Sequence, residues 1–271
     1  MGAIDIEDVC YAYPESETGE FALSDVSLAI ASGEFICLIG HSGCGKSTLL
    51  SLLAGLSAPS RGFIAIDGAP IEGPSTSRAM VFQHYSLFPW MTAVNNVAFS
   101  IRRADRSVSK SDSLKRAHAY LEKVGMDGEA GKYPYQLSGG MQQRVAIARA
   151  LSMESDILLL DEPFGALDAK NRAELQELLV ELWSGVDRKK TVVFVTHDLT
   201  EAILLADRIV FMRPGRIEKT IPVDFPRPRD LSGLEHDCCY QALRSELLSL
   251  FYLDEEQTDG AGEKGVCDGC R

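Results

Sequence analysis

Phe35-Ile36-Cys37-Leu38-Ile39-Gly40-His41-Ser42-Gly43-Cys44-Gly45-Lys46-Ser47 decides the fold. Its first five residues are apolar without alternation and read as a strand buried on both faces. The next eight match G-x-x-x-x-G-K-[ST], and from Thr48 to Leu56 the apolar spacing suits a helix. A strand, a glycine-rich loop and a helix in that order make an anion cradle. Backbone N–H groups point inward, and the helix N-terminus adds partial positive charge. On this mechanism Gly40, His41, Ser42, Gly43, Cys44 and Gly45 wrap phosphates, with Thr48 beside them. Lys46 reaches the β- and γ-phosphates and Ser47 ligates Mg²⁺. Cys44, a thiol in that loop, implies activity that is sensitive to alkylation.

Downstream, Ile157-Leu158-Leu159-Leu160 is a second buried strand, and it ends in Asp161-Glu162. Open parallel sheets place their ligand crevice at that end of a strand. Asp161 is positioned to hold hydrated Mg²⁺, and Glu162 to act as the general base on an attacking water. Upstream of that strand lies Leu137-Ser138-Gly139-Gly140-Met141-Gln142-Gln143-Arg144. Its Ser-Gly-Gly turn opens a helix and forms a second anion site from Ser138 and the N–H groups of Gly139 and Gly140. Two phosphate-binding devices in one chain point to a site shared by two subunits. Met141 cannot return the hydrogen bond that a Gln would give Ser138, a loss of about 1 kcal/mol or less.

Further strands are read at 26–30, 62–66, 79–82, 191–195 and 208–212, with helices at 170–184 and 198–206. That alternation is a parallel α/β sheet. The stretch 87–153 is helical in pattern and reads as an inserted subdomain, with amphipathic 113–124 and Ala-rich 141–151. Order weakens after Pro214. The expected organisation is a nucleotide-binding domain over 1–220, an extension over 221–253 with a short helix at 241–251, and an acidic disordered tail over 254–271.

Composition narrows the function. The chain has 271 residues, 45% of them hydrophobic, and a formal charge of −12, which argues against binding nucleic acid or an anionic membrane surface unaided. No apolar run approaches the roughly 18 residues that span a bilayer. The seven cysteines are an odd number and include Cys37 and Cys44 in the strand and loop, which favours reduced thiols over disulfides. His236, Cys238 and Cys239 with Cys267-x-x-Cys270 raise a Zn²⁺ or redox alternative, weakened by the long acidic spacer between them.

With these motifs in place, the chain from about residue 4 to 220 resembles the ATP-binding subunit of an ABC transporter. The resemblance implies an ABC ATPase fold, which is a parallel-sheet P-loop core with an N-terminal antiparallel β subdomain and the helical insertion. It implies ATP and Mg²⁺ as cofactors and Tyr13, ahead of Tyr11, stacked on adenine. Gln83 becomes a catalytic and metal-ligating residue after the strand at 79–82. His197 becomes the switch histidine, Leu137 to Met141 the signature, and Gly165-Ala166-Leu167-Asp168 the segment that places Asp168 near nucleotide. It also implies two copies meeting head to tail, each phosphate loop facing the partner's Ser138.

Cassettes of this kind also act on ribosomes or DNA, but those carry two cassettes per chain or coiled-coil inserts, and neither occurs here. Residues Tyr85 to Val97, with Pro89 and Trp90 at an exposed turn, form the expected docking site for a helix of transmembrane permease subunits. Phe88-Pro89-Trp90, Ile71-Glu72-Gly73-Pro74 and Asp161 to Asp168 are similar to the subfamily importing nitrate, sulfonates or taurine. That implies an importer of small anions with an extracytoplasmic solute-binding protein. The subunit would then sit peripherally on the cytoplasmic face of the inner or plasma membrane. Import of another small solute, such as a thiamine-precursor pyrimidine, is the alternative, because none of these motifs touches cargo.

Overall fold

The computed structural model describes residues 2–14, 20–83, 86–165, 167–184 and 189–258. They fall into two units, Met1–Asp224 and Phe225–Arg271.

The larger sheet of the first unit has the spatial order β10 (Arg216–Pro222), β9 (Arg208–Arg213), β3 (Phe35–Gly40), β8 (Thr191–Val195), β7 (Ile157–Asp161), β6 (Arg78–Val81). The pairs from β9 to β6 are all parallel, and only β10 is antiparallel to its neighbour. Parallel neighbours need crossovers, which α1 (Lys46–Ala54), α5 (Ala169–Ser184) and α6 (Leu199–Leu205) help to supply. Every residue of β3, β7 and β8 is therefore buried. Continuous apolar runs in sequence become the centre of a two-faced core. The resulting α/β architecture is the expected one.

A second, antiparallel sheet has the order β2 (Leu23–Ile30), β1 (Ile4–Tyr11), β4 (Arg61–Ile66), β5 (Ala69–Pro70). Alternation does not reveal β1. Ile4 and Ile6 face inward, but the pairing with β2 slips between Ile6 and Val9, and Asp8 takes a φ of 47°. This bulge changes which residues face in, so that Val9, Cys10 and Tyr11 are all buried. Strand β10 corrects the expectation that order weakens after Pro214. It is an edge strand whose Arg216, Glu218, Lys219 and Thr220 face solvent, so it shows neither apolar signal nor alternation.

The helical insertion has its own apolar cluster, in which α2 (Ala93–Ala104), α3 (Lys110–Lys123) and α4 (Gly139–Leu151) meet through Val97, Ile101, Ala117, Leu121 and Val145. Each helix is started by a side-chain cap. Thr92, Ser109 and Ser138 accept from Asn95 N, Asp112 N and Met141 N respectively.

The second unit holds the short α7 (Leu231–Leu234) and α8 (Cys238–Thr258). Asp237 starts α8 by accepting from Cys239 N at 2.7 Å and Tyr240 N at 3.4 Å. The helix overruns the expected 241–251 at both ends and continues through 254–258, the first residues of the expected disordered tail. Glu255, Glu256 and Gln257 are good helix formers and prolong it at little cost. Residues 259–271 of that tail lie outside the described residues.

Candidate active site

The parallel register brings the chemistry together. Leu38 pairs with Val195, Asp161 with Val195 and Val81 with Leu160, so β3, β8, β7 and β6 end along one edge of the sheet. The phosphate loop, Gln83, Asp161-Glu162 and His197 all follow directly from those ends, which is where open parallel sheets bind ligands.

Gly40 begins the loop with φ of 150°, and a Cβ there would stand 2.2 Å from Met212 O, so no side chain fits. Lys46 is nearly buried. Its Nζ donates to Gly40 O at 2.7 Å and His41 O at 2.9 Å, holding the ammonium within the loop. His41 O also accepts from Cys44 N at 3.3 Å, while Ser42 and Gly43 form the exposed crest. Behind the loop, Ser47 Oγ donates to Asp161 Oδ1 at 3.1 Å. Burial pushes the Asp161 carboxyl above the usual carboxylate range, and Glu162 adds to this, while the Ser47 hydrogen bond and the Lys46 charge oppose it. A hydroxyl and a desolvated carboxylate in contact are hard oxygen donors of the kind that hold Mg²⁺.

Glu162 leaves the line of β7. Its φ of 44° is left-handed, uncommon outside glycine, and its N–H donates to Val195 O at 3.0 Å. The turn presents Oε2 to Gln83 Nε2 at 3.3 Å and to His197 Nδ1 at 3.6 Å. Glu162 and His197 also line a cavity of about 20 Å³, room for one water.

On the other side of the loop, Tyr13 OH shares a hydrogen bond of 2.6 Å with Thr48 Oγ1. The Tyr13 ring is 52% exposed and meets Tyr11 edge-on at 5.2 Å, whereas Tyr11 is buried. Of the two, Tyr13 therefore offers the exposed ring face. Ser138 Oγ accepts from Met141 N at 3.3 Å, and Gly139 and Gly140 open α4. A Cβ on Gly140 would stand 2.9 Å from Leu167 Cδ2, so the signature turn seats directly on that leucine. No hydrogen bond joins this turn to the phosphate loop among the described residues. Asp168 accepts from Asn171 N at 3.0 Å and Asn171 Nδ2 at 2.5 Å, bonds that hold its carboxyl below the usual range.

The ABC transporter family profile matches residues 23–165. The chain is 45% identical over 254 residues to the nitrate import ATP-binding protein NrtD of Synechococcus elongatus, covering 93% of this chain and 92% of that one. The chain belongs to the ABC transporter ATP-binding family. This cassette is also 42% identical over 250 residues to the bicarbonate transport ATP-binding protein CmpD of Synechocystis sp., covering 91% and 88%. Among solved structures it resembles the dimer of the ATP-binding cassette MJ0796 bound to ADP and Pi. The TM-score is 0.75 at 34% identity, over 82% of this chain and 100% of that one. As a member of the family it is an ATP-binding subunit whose ATPase activity is coupled to transport.

Several expectations shift in this cassette. Cys44 is only 1% exposed and packs in the main core, so its position beneath the loop crest shields it from the alkylation expected of a loop thiol. The fifth signature residue, Met141, is partly buried against the core of the insertion. Gln142, one residue later, donates from Nε2 to Leu137 O at 3.1 Å and braces the turn instead. Asp237, Cys238 and Cys239 lie close together and exposed, whereas Cys267, Cys270, Ala166 and Tyr85 fall outside the described residues.

The remainder of the expected docking segment forms a turn pinned by buried Asn96, whose Oδ1 accepts from Phe88 N at 2.8 Å and whose Nδ2 donates to Met91 O at 3.1 Å. It leaves Trp90 69% exposed at a groove of about 220 Å³, shared with Met91, Asn95, Phe99, Leu114 and Tyr133.

Arg172, Asp198 and Glu201 escape sequence reading, although all three line the cavity beside Glu162 and His197. The available signal was Asp198-Leu199-Thr200-Glu201, a capping-box pattern. Asp198 does cap α6, accepting from Thr200 N at 2.8 Å. Glu201 instead turns to Thr196, whose Oγ1 donates to Glu201 Oε2 at 2.6 Å.

Proposed function

We propose that this cassette is one half of a head-to-tail dimer that closes on ATP and drives an importer of small anions, of the nitrate and bicarbonate class. The observation that carries the reading is the convergence of Gln83 and His197 on Glu162 Oε2, next to the Ser47–Asp161 pair. In this reading Ser47, Asp161 and Gln83 hold Mg²⁺, which when bound neutralises charge developing on the phosphates. The loop from Gly40 to Gly45 wraps the phosphates with Thr48 beside it, and Lys46 moves from its carbonyl partners to phosphate oxygens. Tyr13 stacks on adenine. Glu162 accepts the proton of the attacking water, and His197 and Gln83 fix the carboxylate and the γ-phosphate.

No hydrogen bond joins the signature turn to the loop of its own chain among the described residues, which favours Ser138, Gly139, Gly140 and Asp168 acting on the partner's nucleotide. Permease subunits would dock at the Trp90 groove, because a preformed groove that sets Trp90, Phe99 and Leu114 beside Arg102 and Lys110 suits a short amphipathic helix. That docking would hold the cassette on the cytoplasmic face of the membrane. No helix of the described residues is long and apolar enough to cross it. A solute-binding protein on the far side would complete the importer. The relatives named for nitrate and bicarbonate import support a small oxyanion as cargo.

The test is Glu162→Gln. It should retain ATP, accumulate as a dimer and lose about 10² to 10⁴ in turnover. Near-normal hydrolysis would refute Glu162 as the base.

A further inference from the structure

Arg172 stands one turn into α5 and reaches in three directions. Its Nη2 donates to Leu167 O at 3.3 Å and its Nη1 to Asp198 Oδ2 at 3.2 Å, while Nε lies 3.7 Å from Glu201 Oε1. Its own N–H donates to Asp168 O at 2.9 Å. Each contact has a defined neighbour. Leu167 is the residue on which the signature turn seats at Gly140. Asp198 directly follows His197, and Glu201 binds the Thr196 hydroxyl that directly precedes it. Thr196 Oγ1 also accepts from Asp198 N at 3.0 Å, closing a ring around the histidine backbone. Gln176, on the same helix as Arg172, adds a bond of 3.1 Å to Glu201 Oε1.

We propose that Arg172 is a positioning residue that carries the state of the signature turn to the switch His197 of the same subunit. The contacts run from Gly140 to Leu167, through the Arg172 guanidinium to Asp198 and Glu201, and so to His197 beside Glu162. The inference rests on the head-to-tail dimer described above. There the signature turn serves the partner's nucleotide, and His197 the chain's own. Occupancy of one site then sets the histidine of the other, and the two sites hydrolyse cooperatively. The fork of Arg suits this site, because separate nitrogens reach the Leu167 carbonyl and the Asp198 carboxylate while Nε faces Glu201, which a single ammonium point charge does less well.

The test uses the full chain as Arg172→Ala, Arg172→Lys, His197→Ala and the Arg172→Ala/His197→Ala double variant. Steady-state ATPase is followed against ATP concentration, and affinity is measured with a fluorescent ATP analogue. Arg172→Ala should bind the analogue within about threefold of wild type, yet lose on the order of tenfold or more in kcat. Its Hill coefficient should fall toward one, and Arg172→Lys should recover part of both losses. The double variant should be no slower than His197→Ala alone, because residues acting as one unit are not additive. Wild-type turnover and cooperativity in Arg172→Ala, or losses that multiply in the double variant, would overturn the relay. Should Arg172→Ala fail to fold, Arg172→Lys keeps the charge and decides by the same two readouts. Normal hydrolysis by His197→Ala would instead overturn the catalytic reading on which the relay stands.

Discussion

His197 Nδ1 lies 3.6 Å from Glu162 Oε2, on an oxygen that Gln83 Nε2 also approaches at 3.3 Å. Two residues from the ends of two different strands thus approach one carboxylate oxygen, which the left-handed turn at Glu162 presents. In the proposed reading His197 fixes geometry for the chemical step while the loop grips phosphate, so its loss belongs in kcat. His197→Ala should lower kcat by about 10² at nearly unchanged KM, measured by phosphate release. A rise in KM with unchanged kcat would move His197 from the chemistry to ground-state binding.

Met141 separates capping from packing. Ser138 retains its bond to Met141 N whatever the fifth side chain is, and Gln142 braces Leu137 O. What Met141 contributes is its partly buried thioether against the insertion's core. Met141→Gln should therefore cost about 1 kcal/mol of stability in urea unfolding. Turnover should stay within about fivefold of wild type, a change of no more than about 1 kcal/mol in the barrier. A hundredfold change in turnover would show that this side chain touches the reaction.

The parts of the fold legible in sequence are those where one physical demand fixed the residue. β3, β7 and β8 are buried on both faces, so they read as unbroken apolar runs, and β3 and β7 end in Gly40 and Asp161. The glycine loop was readable because Gly40 faces Met212 O too closely for any side chain. β1 was hidden by its bulge at Asp8, and β10 by being a charged edge. Arg172 was hidden for a different reason. Its acidic partners Asp198 and Glu201 both stand at the start of α6, beyond β8 in the sequence, and no spacing in the chain announces a contact that only the sheet order creates.

Burial makes Cys44 a selective probe of the loop. At 1% exposure its thiol should react more slowly with maleimides than Cys238 and Cys239, which are exposed on α8. Peptide mapping after brief labelling should find those two modified while ATPase activity persists. Early modification of Cys44 with loss of activity would mean that the loop opens far more readily than its packing implies.

Asp168 makes a pH prediction with a definite sign. Its hydrogen bonds from Asn171 hold the folded-state carboxyl below its ordinary value of 3.8. A depressed acid adds stability that is present above the unfolded value and lost as pH falls through the folded one. Asp168→Ala should thus lower the melting temperature at pH 7 and lose that effect toward pH 3, while Asp168→Asn, which keeps an acceptor for Asn171 N, should show a smaller penalty at pH 7. A wild-type-minus-Ala difference that grows on acidification would contradict the assignment.

Trp90 tests where the motor is attached. It stands 69% exposed with its ring 5.5 Å from Phe88, on a turn that Asn96 fixes from beneath. Its exposed part adds little to the fold of the cassette, but a tryptophan lining a preformed groove is the type of residue that dominates an interface. Trp90→Ala should leave the melting temperature and the ATPase activity of the isolated cassette close to wild type. Its retention by affinity-tagged permease subunits should fall at least about thirtyfold, the equivalent of 2 kcal/mol at an interface anchor. Undiminished retention, with Phe99→Ala equally silent, would place the docking surface elsewhere on the cassette and leave this groove without that role.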